Sequence, residues 1–153
     1  MHHFLYLVLI SIYLVYNDHI WWAILPLTME YVFDCVDGQY ARKYNMTSNF
    51  GDLYDHITDL VFVAVMIILV LIKTTRPKNQ ILASSLVMIL MHVLAMIHFG
   101  CQESIYKTDK PSLSMSFVKP LCKNPEKLIK YTRFFGTGTQ YVAFIFWIIF
   151  MST

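Results

Sequence analysis

Charged side chains are missing from four long stretches of the sequence, residues 1–17, 60–72, 79–102 and 134–153, with polar segments between them. A helix needs about 20 mostly apolar residues to cross ~30 Å of hydrocarbon, so this rhythm predicts repeated membrane crossings. Five spans are expected, at residues 3–16, 20–43, 52–74, 79–99 and 135–152. The first is short for a full crossing. Trp21 and Trp22 open the second span, where an interfacial aromatic belt belongs. Pro26 falls early in that span, where a missing N–H is tolerated or leaves a mild kink. Thr74, Thr75, Arg76 and Pro77 read as a tight polar connection between the third and fourth helices. Residues 100–133 are too polar to cross. Pro111, Pro120 and Pro125 divide them into short pieces, which are expected to lie on the membrane surface. With no internal repeat and no low-complexity tract, the pattern predicts an all-α, polytopic membrane helix bundle forming one domain over residues 1–153.

Composition sharpens this picture. A hydrophobic content of 57% and a mean hydropathy of +0.52 are far above soluble averages. The net charge of +2 is too small to suggest a nucleic-acid partner. Seven of the twelve Lys and Arg residues lie between Lys107 and Arg133, either as a basic loop beside an anionic membrane face or as a solvated surface. Together with Arg42 and Lys43 they place this loop and the end of the second span on the cytoplasmic side. Lys73, Arg76 and Lys78 run against that assignment. Cys35, Cys101 and Cys122 are odd in number and lack metal-ligand spacing, so ordinary thiols are expected. The first apolar run lacks a basic leader and ends in Asn17-Asp18-His19 rather than a small-residue cleavage site. It is therefore expected to stay on the chain.

The second and third spans carry what apolar helices should not. Glu30, Asp34 and Asp37 lie in one, and Asp52, Asp55 and Asp59 in the next. Ionisable groups at membrane depth cost about 2.5–3.5 kcal/mol each on insertion scales, which asks for a compensating charge. Asp34, Asp37 and Ala41 share one helical stripe, and Asp55 and Asp59 share another. Two antiparallel helices joined through residues 43–50 can thus aim four carboxylates into one cleft, a donor set suited to Mg²⁺ or Mn²⁺. An ion pathway or proton relay is the other use of such acids. Asp52 is expected to cap the third helix, and His56 to point off the metal face as a hydrogen-bonding group.

The run Asp34-x2-Asp37-Gly38-x2-Ala41-Arg42-x8-Gly51-x3-Asp55-x3-Asp59 resembles, without a gap, the signature of the CDP-alcohol phosphatidyltransferases. The resemblance implies an enzyme that moves a phosphatidyl or similar group from a CDP-linked donor such as CDP-diacylglycerol to an alcohol, releasing CMP. It implies that Asp34, Asp37 and Asp55 hold the metal at the donor pyrophosphate and that Asp59 is the base for the acceptor hydroxyl. Gly38, Ala41 and Gly51 would let the cytidine part approach the backbone, and Arg42 would neutralise donor phosphate. A homodimer, a cytosol-facing site and, in a eukaryote, an endoplasmic-reticulum-type membrane also follow from the resemblance.

The likeness is firm over residues 30–60 and general elsewhere. Family members usually have six spans and an amphipathic element with a Pro-Asn pair before the first. This sequence opens in an apolar run and shows five, which reads as a minimal or truncated version. Asp55-His56 is similar to choline and ethanolamine phosphotransferases. Thr58-Asp59, with Asn124-Pro125, Leu128 and Tyr131, is similar to eukaryotic phosphatidylinositol synthases, which favours inositol as acceptor. A membrane transport protein using the same acids and a catalytically inactive homologue are the opposing readings.

Overall fold

The computed structural model describes residues 2–46, 48–105 and 118–153, excepting the side chains of residues 2–4, 42, 49 and 52. The chain is all-helical, with five long helices: α1 (His2–Tyr16), α2 (Ile20–Lys43), α3 (Asn49–Lys73), α4 (Lys78–Ile105) and, after the short α5 (Pro125–Thr132), α6 (Thr137–Ser152). Three stretches are long and apolar enough to cross a membrane: Leu53–Lys73, Lys78–Ile105 and Pro125–Ser152, with Leu5–Tyr16 a shorter apolar helix. The 24-residue α2 is long enough but carries acids, and it runs through Pro26 without a break. Many large apolar side chains on these helices are exposed, as expected where lipid is the solvent. Trp21 and Trp22 are among the most exposed, in keeping with a place in the interfacial belt.

Two short connections are set by residues that tolerate left-handed backbone. Asp18 has φ 62° and Asn45 φ 54°. In each case the next N–H reaches back five residues, His19 to the Leu14 carbonyl at 2.8 Å and Met46 to the Ala41 carbonyl at 2.9 Å. This is the Schellman ending of a helix, which needs an αL residue just past the last turn. The third helix starts earlier than the apolar run suggests. Its cap is Ser48 rather than the expected Asp52: the Ser48 hydroxyl accepts the Gly51 N–H at 3.0 Å, so Asp52 lies inside the first turn.

The chain forms two compact units, residues Met1–Arg76 with Ile148–Thr153, and residues Pro77–Trp147. In the first, buried stripes at helical spacing meet: Val8, Ser11 and Val15 on α1, Ile20, Ala23 and Leu27 on α2, and Phe62, Met66 and Val70 on α3. Ser11 and Ala23, both fully buried, are small enough to let helices pack closely. The α2 stripe continues into Glu30, a buried carboxylate. At the far end of α3, Lys73 pairs with Asp18 at 2.6 Å and also donates to the Tyr16 carbonyl. Arg76 donates to the Phe150 carbonyl at 3.0 Å and to the Thr153 hydroxyl at 2.9 Å, capping α6. Two of the three cations that run against the positive-inside pattern are thus engaged with helix ends and an acid.

In the second unit α4 extends beyond its expected end at residue 99 to Ile105, because Gln102, Glu103 and Ser104 continue the helix past the apolar run. Residues 106–117, including Lys107 and Pro111, lie outside the described residues. The expectation of three ordinary thiols holds for Cys35 and fails for the others, since Cys101 and Cys122 form a disulfide. Their pairing depends on the 3-10 turn Lys119–Leu121 folding back onto α4, which cysteine spacing does not reveal. Both are buried, so the bond is shielded from exchange with thiols in solution. Beside it, His98 Nδ1 meets the Thr132 hydroxyl at 3.2 Å. A Cβ on Gly100 would stand 2.3 Å from the Val118 carbonyl oxygen, a backbone atom with little freedom to move. Gly100→Ala is therefore expected to destabilise the protein by about 1–3 kcal/mol, seen as a lowered thermal midpoint of the detergent-solubilised protein.

Candidate functional site

The acidic residues sit at the end of α2 and in the opening turns of α3. A helix turns once per 3.6 residues, so Glu30, Asp34, Asp37 and Ala41 follow one stripe of α2 while Asp55 and Asp59 lie a turn apart on α3. Exposure is graded along these stripes. Glu30 is buried, Asp34 and Asp59 are half-buried, and Asp37 and Asp55 are exposed. The half-buried pair is thus less open to solvent than the exposed pair.

Asp59 on α3 is within electrostatic range of acids on both helices. Among the charged neighbours acting on Asp59 the strongest is Asp34, on the other helix, followed by His56, Asp55 and Asp37. The acids of α2 and α3 are thus within electrostatic range of one another. His56, expected to point off the metal face as a hydrogen-bonding group, is also within electrostatic range of Asp59. Thr58, beside Asp59, donates its hydroxyl to the carbonyls of Tyr54 at 2.6 Å and Asp55 at 3.0 Å, so it is used within its own helix.

The remaining signature residues lie on the same two helices. Gly38 and Ala41 are half-buried on α2 beside Asp37. At Gly51 an added Cβ would lie 3.1 Å from the Ser48 hydroxyl, so the glycine also keeps room for the helix cap. The Arg42 side chain is outside the described residues. The connection between the helices is exposed at Tyr44, Asn45 and Met46. Two shallow grooves, of about 350 Å³ between α1 and α2 and about 450 Å³ along Val36, Gln39, Tyr40 and Lys43, are lined by none of the signature residues.

Carboxylates alone form a hard oxygen donor set, the kind that Mg²⁺ and Mn²⁺ prefer over thiolate or imidazole sites. The donor chemistry therefore fits a divalent cation. Among the described residues no three His, Cys, Asp or Glu side chains approach closely enough to hold an ion, so the structure supplies donors and their placement but no closed coordination shell.

Comparison with known proteins agrees with this chemistry. A sequence profile of the CDP-alcohol phosphatidyltransferase family matches residues 1–152, nearly the whole chain and both compact units. No curated protein and no solved structure matches it significantly. Members of this family are transferases of substituted phosphate groups, generally dependent on a divalent metal, that use a CDP-linked donor and an alcohol acceptor. With the profile covering both units and the eight signature positions in place on α2 and α3, this multi-pass membrane chain belongs to the CDP-alcohol phosphatidyltransferase family.

Proposed function

We propose that the chain, acting as a single domain over residues 1–153, transfers a phosphatidyl group from CDP-diacylglycerol to a polyol and releases CMP. The observation that carries this reading is the family profile over residues 1–152, supported by the acidic signature on the consecutive helices α2 and α3. Asp34, Asp37 and Asp55 are assigned to hold Mg²⁺ or Mn²⁺, and Asp59 to act as base. A bound divalent cation supplies neutralisation of the donor pyrophosphate, which otherwise repels an oxygen nucleophile. Asp59 takes the proton of the acceptor hydroxyl, the acceptor oxygen bonds to the phosphatidyl phosphorus, and the bond from that phosphorus to the bridging oxygen of CMP breaks. Gly38, Ala41 and Gly51 allow the donor to approach backbone, and Arg42 pairs with donor phosphate through its forked donors.

Inositol is the acceptor favoured by Thr58-Asp59 and by the run Asn124-Pro125, Leu128, Tyr131. Asn124 and Pro125 also have a local task, as N-cap and first residue of α5. We further propose a homodimer in an endoplasmic-reticulum-type membrane. The deciding assay supplies CDP-diacylglycerol labelled in the cytidine to membranes containing the full chain, with a panel of alcohols and with or without Mn²⁺. Labelled CMP released only when both an alcohol and the metal are present is the expected result. Cation-dependent conductance without CMP release under any alcohol would favour the ion-pathway reading.

The site is assigned to the cytosolic face by the basic segment between Lys107 and Arg133. A disulfide is uncommon on that side, and burial of both sulfurs is what would preserve it there. Asn45-Met46-Thr47 offers a check, because the sequon lies between the two acidic helices and Asn45 is exposed. In a eukaryotic host Asn45 is expected to carry no glycan. A glycosidase-sensitive mass shift that vanishes in Asn45→Gln would put the acidic face in the lumen.

A further inference from the structure

Residues 118–135 form a small plate fixed along the end of α4. The disulfide from Cys101 to Cys122, the buried His98–Thr132 contact and the packing of Val118 on Gly100 use up its inner face, where Val118, Cys122 and Thr132 are buried. Its outer face has a different composition. Lys119, Lys123, Lys127, Lys130 and Arg133 are all exposed, against the one acid Glu126. Tyr131 and Phe134 stand among them at 75% and 62% exposure, and the Arg133 guanidinium lies 4.8 Å from the centre of the Phe134 ring.

We propose that this outer face is a preformed docking surface for the phosphate-bearing headgroups of anionic membrane lipids. Three properties select that occupant. A face with five cations repels a second copy of itself, which disfavours self-association through it. Exposed aromatic rings among cations suit headgroup depth, where the ring meets the apolar boundary and the cation meets phosphate. The plate is also fixed to apolar helices on both sides, to α4 through the disulfide and to α6 directly after Gly136. Lys127, Lys130 and Arg133 follow one another at three-residue spacing, so their charges gather along one side of α5 and its extension. The disulfide is thereby given a purpose: it fixes the register of the plate on α4, so the cationic face is presented without a further ordering cost.

The test requires no turnover, so its failure is separable from failure of the transferase reading. The full chain is reconstituted in phosphatidylcholine bilayers with a trace of spin-labelled phosphatidylserine or spin-labelled phosphatidylcholine. The fraction of each label immobilised at the protein boundary is then read from the spectrum. A several-fold preference for phosphatidylserine that weakens with salt is expected, since each surface cation adds attraction to an anionic headgroup. The triple variant Lys127→Gln/Lys130→Gln/Arg133→Gln should lose most of that preference, while Lys78→Gln, outside the plate, should keep it. Helical content and the intact Cys101–Cys122 bond would show that the triple variant is folded. If it is not, Lys119→Gln/Lys123→Gln provides a second reading on the same face. Equal association of the two lipids, a preference unchanged in every folded plate variant, or displacement by millimolar inorganic phosphate in place of salt screening would overturn the proposal.

Discussion

Asp59→Asn is expected to leave donor affinity within a few-fold of the parent while lowering turnover by ~10²-fold or more, the usual scale for a lost general base. Asp59 is half-buried one turn beyond Asp55, deeper along α3 than the exposed carboxylates. The substitution removes a proton acceptor while nearly preserving volume, so binding and rate should separate. The parent rate should also rise with pH through one ionisation that the variant lacks, because only the carboxylate can accept the hydroxyl proton. Single-turnover CMP release and donor binding, measured on the same preparations, decide the matter. Parallel losses of affinity and rate in Asp59→Asn would make this residue a metal ligand and send the search for the base to Glu30 and His56.

Much of the fold was legible because the membrane restricts the available structures. Backbone polar groups in hydrocarbon must be satisfied within the segment, so an apolar run of sufficient length has few alternatives to a helix. The expected spans 20–43 and 135–152 accordingly fall within two residues of α2 and α6. What escaped the sequence was local chemistry at helix ends. Ser48 rather than Asp52 caps α3 because capping depends on which residue leaves helical backbone, and Ser48 is the extended residue just before the first turn. The end of α4 was missed for a related reason, since a helix outside the apolar core is held by packing as well as by hydropathy. Here the Cys101–Cys122 bond and the Gly100–Val118 approach provide that packing, and both join positions whose nearness follows only from the fold.

The site divides along the same line. Period alone placed Asp34 with Asp37 and Asp55 with Asp59, because residues three and four apart share a helical face. That Asp34 lies within electrostatic range of Asp59 is tertiary information, because it depends on how α2 and α3 are placed in the fold. Glu30 shows the boundary well. The sequence marks it as an unusual acid outside the signature, and the structure adds that it is buried at 4% exposure on the stripe leading from the apolar core to the motif.

Replacing Asp34 or Asp37 with Asn should weaken metal-dependent donor binding strongly, the second large effect expected at this site. Asparagine keeps the shape and one oxygen but removes the negative charge, and a hard divalent cation depends on that charge for much of its affinity. The two positions should not be equivalent. Asp34 is half-buried, whereas Asp37 is exposed. Electrostatic interactions strengthen away from water, so Asp34→Asn should raise the Mn²⁺ concentration needed for half-maximal donor binding more than Asp37→Asn. Each variant should insert into the membrane at least as readily as the parent, because a neutral amide is cheaper than a carboxylate at that depth. Lower binding at equal expression would therefore report the site rather than the fold. Titrating Mn²⁺ against donor binding in membranes of the parent and both variants provides the measurement, with excess metal partly restoring Asp37→Asn. Parent-like metal requirements in both variants would remove these two residues from the metal site and leave the acidic stripe of α2 without its assigned role.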